Sequence, residues 1–166
     1  MVHRISAWVT IGVCLALATT ACQAIPSDPV QPPIGLRQDS GVLIAIIPVC
    51  ESESLLTADI IDYASGSLDS PSWKATGYLG GASGIVILGE GSWDSITGSY
   101  SELNSLNIGL HTTRRLLASV VDSPERVEQL NSLPPDSFMV NGRQMTSRSY
   151  EEMVDRKFSC PKPRTE

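Results

Sequence analysis

The chain predicts a mainly β fold: a single sandwich of short strands, closed by one or two short C-terminal helices. Three observations predict it. Short runs rich in Val, Ile, Leu and aromatic residues recur at roughly ten-residue spacing. Clusters of Gly, Ser, Asn, Asp and Pro separate them. After Asp122 the apolar period changes from two to about 3.6 residues, the helical value.

The elements follow in order. Gly41 to Cys50 is continuously apolar, too short for a typical helix and interrupted by Pro48, which reads as a central strand covered on both faces. Leu56 to Tyr63 is a second strand, followed by turn residues Ala64 to Ser67 and Asp69-Ser70-Pro71. Trp73 to Leu79, Ile85 to Leu88 and Ser95 to Leu103 are three more, with Gly80-Gly81-Ala82-Ser83-Gly84 as a turn. Asn107 to Thr112 alternates cleanly, the mark of a half-buried strand, and Leu116 to Val121 follows it after a bend at Arg114-Arg115. Ser123 caps a helix whose first residue is Pro124, whose face is Val127, Leu130 and Leu133, and which ends at Pro134-Pro135. Phe138 to Met145 is a hairpin around Asn141-Gly142. Ser147 to Lys157 is a second helix, with Ser149 and Glu152 as a capping box and Tyr150, Met153, Val154 and Phe158 as its apolar stripe. The two helices are expected to cover an edge or an open end. Six or seven short strands in one domain fit an immunoglobulin- or fibronectin-like sandwich. Strand order is not encoded in hydrophobic periodicity.

The N-terminus reads as an address. Met1-Val2-His3-Arg4 is followed by 12 apolar or small residues, Ala7 to Ala18. That length suits a secretory signal, whereas a membrane span needs about 18 residues. Leu17-Ala18-Thr19-Thr20-Ala21-Cys22 resembles the lipobox of bacterial lipoproteins, with Thr19 where that family usually carries Leu. The resemblance implies a diacylglyceryl thioether on Cys22, cleavage before it and a lipid bilayer as partner; an ordinary signal cut after Ala21 or Ala24 is the alternative. Residues 1–21 are then a signal peptide and 22–38 a lipidated stalk. Its four prolines between Pro26 and Pro33 favour an extended spacer. Residues 39–162 are the sandwich with its helical tail.

Cysteine usage agrees with export. Cys14 leaves with the signal and Cys22 goes to lipid, so Cys50 and Cys160 remain as a pair. Outside the cytoplasm they form a disulfide closing a loop of about 110 residues; two buried thiols are the alternative. Loss of Arg4 with the signal leaves 11 basic against 18 acidic residues, net −7. That balance argues against a nucleic-acid partner and against a polybasic membrane contact. The layout also resembles small uncharacterised lipoproteins of actinobacterial envelopes, which share a cysteine after an early strand and another at the end. That likeness implies no activity.

Catalytic and cofactor chemistry is thinly represented. His111 is the one histidine of the mature chain, on the polar side of an alternating strand, and no Gly-x-Ser-x-Gly elbow accompanies it. Glu51, Glu53, Asp59 and Asp62 match no calcium loop and read as a solvated acidic patch. Gly77 to Gly84 lacks the Lys-Ser/Thr and following helix of a phosphate cradle. Trp73 and Trp93 are core or rim packing by default, and Arg114-Arg115 a solvated turn. Ser72-Trp73 to Tyr78 nearly repeats as Ser92-Trp93 to Tyr100, which reads as coincidence or as two similar strand starts. No catalytic, cofactor or metal residue is assigned. The expected role is a membrane-anchored, non-enzymatic module that binds an envelope protein or a glycan. A weak hydrolase or enzyme accessory, or a structural spacer, is the alternative.

Overall fold

The computed structural model describes residues 32–51, 53–63, 70–81, 84–100, 105–158 and 160. The signal peptide, Cys22, most of the stalk and the turn at Ala64 to Asp69 lie outside these residues.

Among the described residues, ten strands form two five-stranded antiparallel sheets. The first sheet contains β1 (Gly35–Asp39), β2 (Val42–Ile46), β5 (Ile85–Leu88), β9 (Ser137–Val140) and β10 (Arg143–Thr146), in the order β10-β9-β1-β2-β5. The second contains β3 (Leu55–Asp62), β4 (Trp73–Tyr78), β6 (Trp93–Gly98), β7 (Leu106–Thr112) and β8 (Leu116–Val121), in the order β6-β4-β3-β7-β8. The pairing of β2 with β5 in one sheet and of β3 with β7 in the other makes the chain cross repeatedly between the two layers of a β-sandwich. The terminal hairpin β9–β10 widens the first sheet by pairing Gly35 with Val140.

Strand β1 falls where the stalk was expected, so the sandwich begins before residue 39. Its hairpin with β2 turns on Ser40 and Gly41, both in the left-handed region (φ 51° and 85°), the geometry of a two-residue turn. Asn141-Gly142 makes the same turn between β9 and β10, as the sequence predicts (φ 48° and 73°). The strand expected to reach Leu103 ends at Gly98, whose φ of 76° and close approach to the Ser72 carbonyl leave no room for a Cβ.

Between the sheets lies the main core, built from Leu43, Leu88, Ile60, Ile108, Leu110 and Leu117 with Trp73 and Trp93. The near-repeat acquires a structural meaning there. Its two copies are β4 and β6, which pair with each other so that Trp73 faces Gly98 and Tyr78 faces Trp93. The two indoles meet edge to face at 6.1 Å, and Trp93 donates to the Ile87 carbonyl across the sandwich at 2.9 Å.

Helix α1 (Pro124–Asn131) links the sheets and buries Leu130 beside Ile34 and Leu36 in the main core. Ser123 caps it, accepting from Arg126 N as its sequence predicts. Helix α2 (Ser147–Lys157) departs from expectation twice. Its cap is Thr146, which accepts from Ser149 N, so Ser149 sits inside the first turn and Glu152 pairs with Arg148 instead. It also covers an outer sheet face, not an edge or end: Tyr150 packs on Ile44, Ile46, Phe138 and Val140 with Met153 and Val154 beside it. The first sheet is therefore covered on both sides around β2, and the doubly covered reading of that strand holds: Leu43 and Ala45 face the main core while Ile44 and Ile46 face α2.

Candidate functional site at the disulfide end

One end of the sandwich gathers the connection from β2 to β3, the Gly-rich connection from β4 to β5, the β7–β8 turn and the residues after α2. The Cys50–Cys160 disulfide forms there, with Cα atoms 5.5 Å apart and the partners 110 positions apart in sequence. Such a link stabilises by about 4–5 kcal/mol in the chain-entropy account.

Beside it lies a buried ion pair that the sequence reading placed in solvent. Arg115 donates to both carboxylate oxygens of Glu53, Nε to Oε1 at 2.7 Å and Nη2 to Oε2 at 2.6 Å. Their side chains are 13% and 2% exposed, which removes Glu53 from any solvated acidic patch and Arg115 from a solvated turn. The same guanidinium donates to the Pro48 carbonyl at 2.9 Å and to Cys50 Sγ at 3.4 Å, and lies 4.6 Å from the Phe158 ring centre. Glu53 also accepts from Thr112 Oγ1 at 2.5 Å and from Cys50 N at 3.3 Å. Satisfying every carboxylate lone pair is what makes a buried charge tolerable. Removing Arg115 would strand Glu53, at a cost of about 3–5 kcal/mol. The pair thus fixes the β2–β3 connection, the β7–β8 turn and the tail to one another.

The strand period held a signal for this. Leu117 and Val121 point inward on β8, and the same parity carried back two residues puts Arg115 inward as well. Leu116 is the exposed neighbour. For β1 the missed signal was Ile34 and Leu36 two apart, ahead of Ser40-Gly41.

Two cavities flank this centre. One, of about 190 Å³, is lined by Ile47, Glu53, Leu55, Tyr78, Gly84 and Thr112 among others. Tyr78 donates to the Ile85 carbonyl at 2.7 Å, and burial raises its phenol pKa. Val49, Leu79 and Ile85 near the rim are exposed, Leu79 at 61%. The other, of about 230 Å³, lies between the Ile47–Val49 segment and Tyr150, Val154, Phe158 and Cys160. A third, of about 250 Å³, lies between β8 and α1, lined by Ile34, Leu36, Leu130 and Met139.

The remaining candidate residues scatter. Asp59 does not join Glu53; its carboxylate sits over Gly109 and meets His111 Nε2 at 2.5 Å on the outer face of the second sheet. His111 is thus paired on an open face, 44% exposed, and neither it nor Asp59 lines the three cavities above. Glu51 is exposed, and no group of three metal-ligating side chains occurs among the described residues. Trp73 and Trp93 are 4% and 5% exposed, so both indoles belong to the core and neither offers a ring to solvent. No family model, no curated protein and no solved structure matches the chain.

Proposed function

We propose that the chain is an extracytoplasmic domain anchored to the cell membrane through lipid on Cys22, acting as a non-enzymatic binding module of the envelope. The observation that carries the reading is the junction Leu17 to Cys22, an export signal of secretory length ending at a cysteine. The Cys50–Cys160 bond supports it, since disulfides persist in oxidising compartments. Two or three acyl chains at one terminus hold stably where one does not. The recognition surface in this reading is the disulfide end, where Val49 and Leu79 on the connections and Ile85 at the start of β5 expose apolar area beside a rigid centre. The occupant is an envelope protein or a glycan, and the acidic net charge argues against nucleic acid.

Mass spectrometry of the mature N-terminus tests the anchor: an acylated Cys22 is expected, and an unmodified terminus starting at Cys22 or Ile25 would end the proposal. Crosslinking in intact envelopes tests the surface. A partner recovered with wild type and lost with Leu79→Asp is expected; equal recovery by both moves the contact elsewhere.

A hydrolase is the second reading, favoured by the His111–Asp59 contact. Assay on ester, peptide and glycan panels decides it. Activity that disappears in His111→Ala would establish an enzyme and displace the binding-only reading.

A further inference from the structure

The two sulphurs of the disulfide sit in opposite surroundings. Cys50 is 2% exposed, packed against the ion-pair centre, whereas Cys160 is exposed on the tail after α2. Thiol–disulfide exchange requires a thiolate to approach one sulphur along the S–S axis and the other to leave with the electron pair. Access favours attack at Cys160. Chemistry favours Cys50 as the leaving group, because Arg115 Nη2 already donates to its Sγ at 3.4 Å. The other charge at Cys50 is Glu53, whose Oε2 accepts from Cys50 N and from Arg115; the guanidinium therefore stands between the carboxylate and the sulphur as a hydrogen-bond donor to both.

Phe158 N donates to Val154 O, its ring lies on Arg115, and neither Phe158 nor Cys160 belongs to a core cluster. Both, however, line the 230 Å³ cavity that Tyr150 and Val154 share with Ile46 and Val49.

From these placements we infer that Cys160 is a thiol-exchange site and that the disulfide is a releasable latch on the cavity beneath Phe158. A thiolate of an external dithiol attacks Cys160 Sγ. The S–S bond breaks as the mixed disulfide forms, and Cys50 leaves as a thiolate hydrogen-bonded by Arg115. The second thiolate of the dithiol then attacks the mixed disulfide, expelling Cys160. The dithiol is oxidised to its cyclic disulfide, and its two protons end on the two protein thiols. Phe158 and Cys160 then leave the ion-pair centre and open the cavity, while α2 stays docked through Tyr150 and Met153.

Glutathione carries a single thiol, so a brief exposure leaves the first-step mixed disulfide in place, and it is the probe. The full chain is exposed to it briefly, quenched, and the peptides holding Cys50 and Cys160 are followed separately by mass. The expected result is glutathione on Cys160 in about tenfold or greater excess over Cys50. Equal labelling, or labelling on Cys50, overturns the assignment. Arg115→Lys should slow the exchange at Cys160 while keeping its site preference; an unchanged rate overturns the assisted departure of Cys50. Hydrogen exchange after full reduction by dithiothreitol reads the latch. Faster exchange confined to Phe158 and the last turn of α2 supports it, whereas either no change there or fast exchange throughout the sandwich overturns it.

Discussion

Strands β2 and β5 are neighbours with nearly the same composition and opposite fates. Ile44 lies directly opposite Ile87, and Ile46 opposite Ile85, on the same outer face of the first sheet. Ile44 and Ile46 are 7% and 3% exposed, while Ile87 and Ile85 are 40% and 38%. The difference is the reach of α2, whose Tyr150 covers the middle of the sheet and stops short of its β5 edge. A continuous apolar run therefore marks a strand that can be covered twice. Whether it is covered depends on where a helix lands.

The largest test of this contrast removes the cover. Tyr150→Ala should destabilise by about 3–5 kcal/mol, the range for deleting a buried aromatic, read from the midpoint of urea unfolding. A loss near zero would mean α2 contributes little to the burial of Ile44 and Ile46. Next in size is the direct comparison within one register pair. Ile46→Ala should cost about 2–5 kcal/mol and Ile85→Ala less than about 1 kcal/mol, because only the former leaves a closed cavity. Equal losses would erase the distinction between centre and edge.

A smaller effect comes from the phenol itself. Tyr150 donates to the Pro33 carbonyl at 2.8 Å, so Tyr150→Phe should lose about 1 kcal/mol near neutral pH. Burial pushes the Tyr150 pKa well above the ordinary tyrosine value, and Tyr100 and Tyr78 shift the same way. Folding therefore favours the neutral phenols. Their contribution is complete below the unfolded pKa of about 10 and is lost as pH rises toward the raised folded values. Thermal unfolding should show a falling midpoint above about pH 10, with a shallower fall in Tyr150→Phe. The smallest effect belongs to the uncovered second sheet. His111→Ala, on an open face, should change stability by no more than about 0.5 kcal/mol, and a larger loss would give the Asp59 contact structural weight.

The two long-range carboxylate contacts repeat the lesson. Glu53–Arg115 and Asp59–His111 each join residues about 50–60 positions apart, and both were expected to be solvated. Side-chain type gave no warning, since Arg and Glu are mostly exposed. Strand parity would have warned for Arg115, which shares the inward side with Leu117. For Glu53 no local pattern exists: it sits in a connection, and its burial follows from the arrival of Thr112 and Arg115, 59 and 62 positions further along the chain.

Local chemistry alone determined the strands from Leu56 to Val121, the Asn141-Gly142 turn, the Ser123 cap and the candidate pairing of two cysteines. Each rests on neighbours within a few residues, where side-chain period and backbone preference act. Tertiary structure decided which apolar strand received a second cover, that the near-repeats pair with one another as β4 and β6, and that Arg115 turns inward to hold Glu53 beside the disulfide. Those outcomes depend on contacts between distant segments, and desolvation makes each one worth keeping only when its partner is also in place.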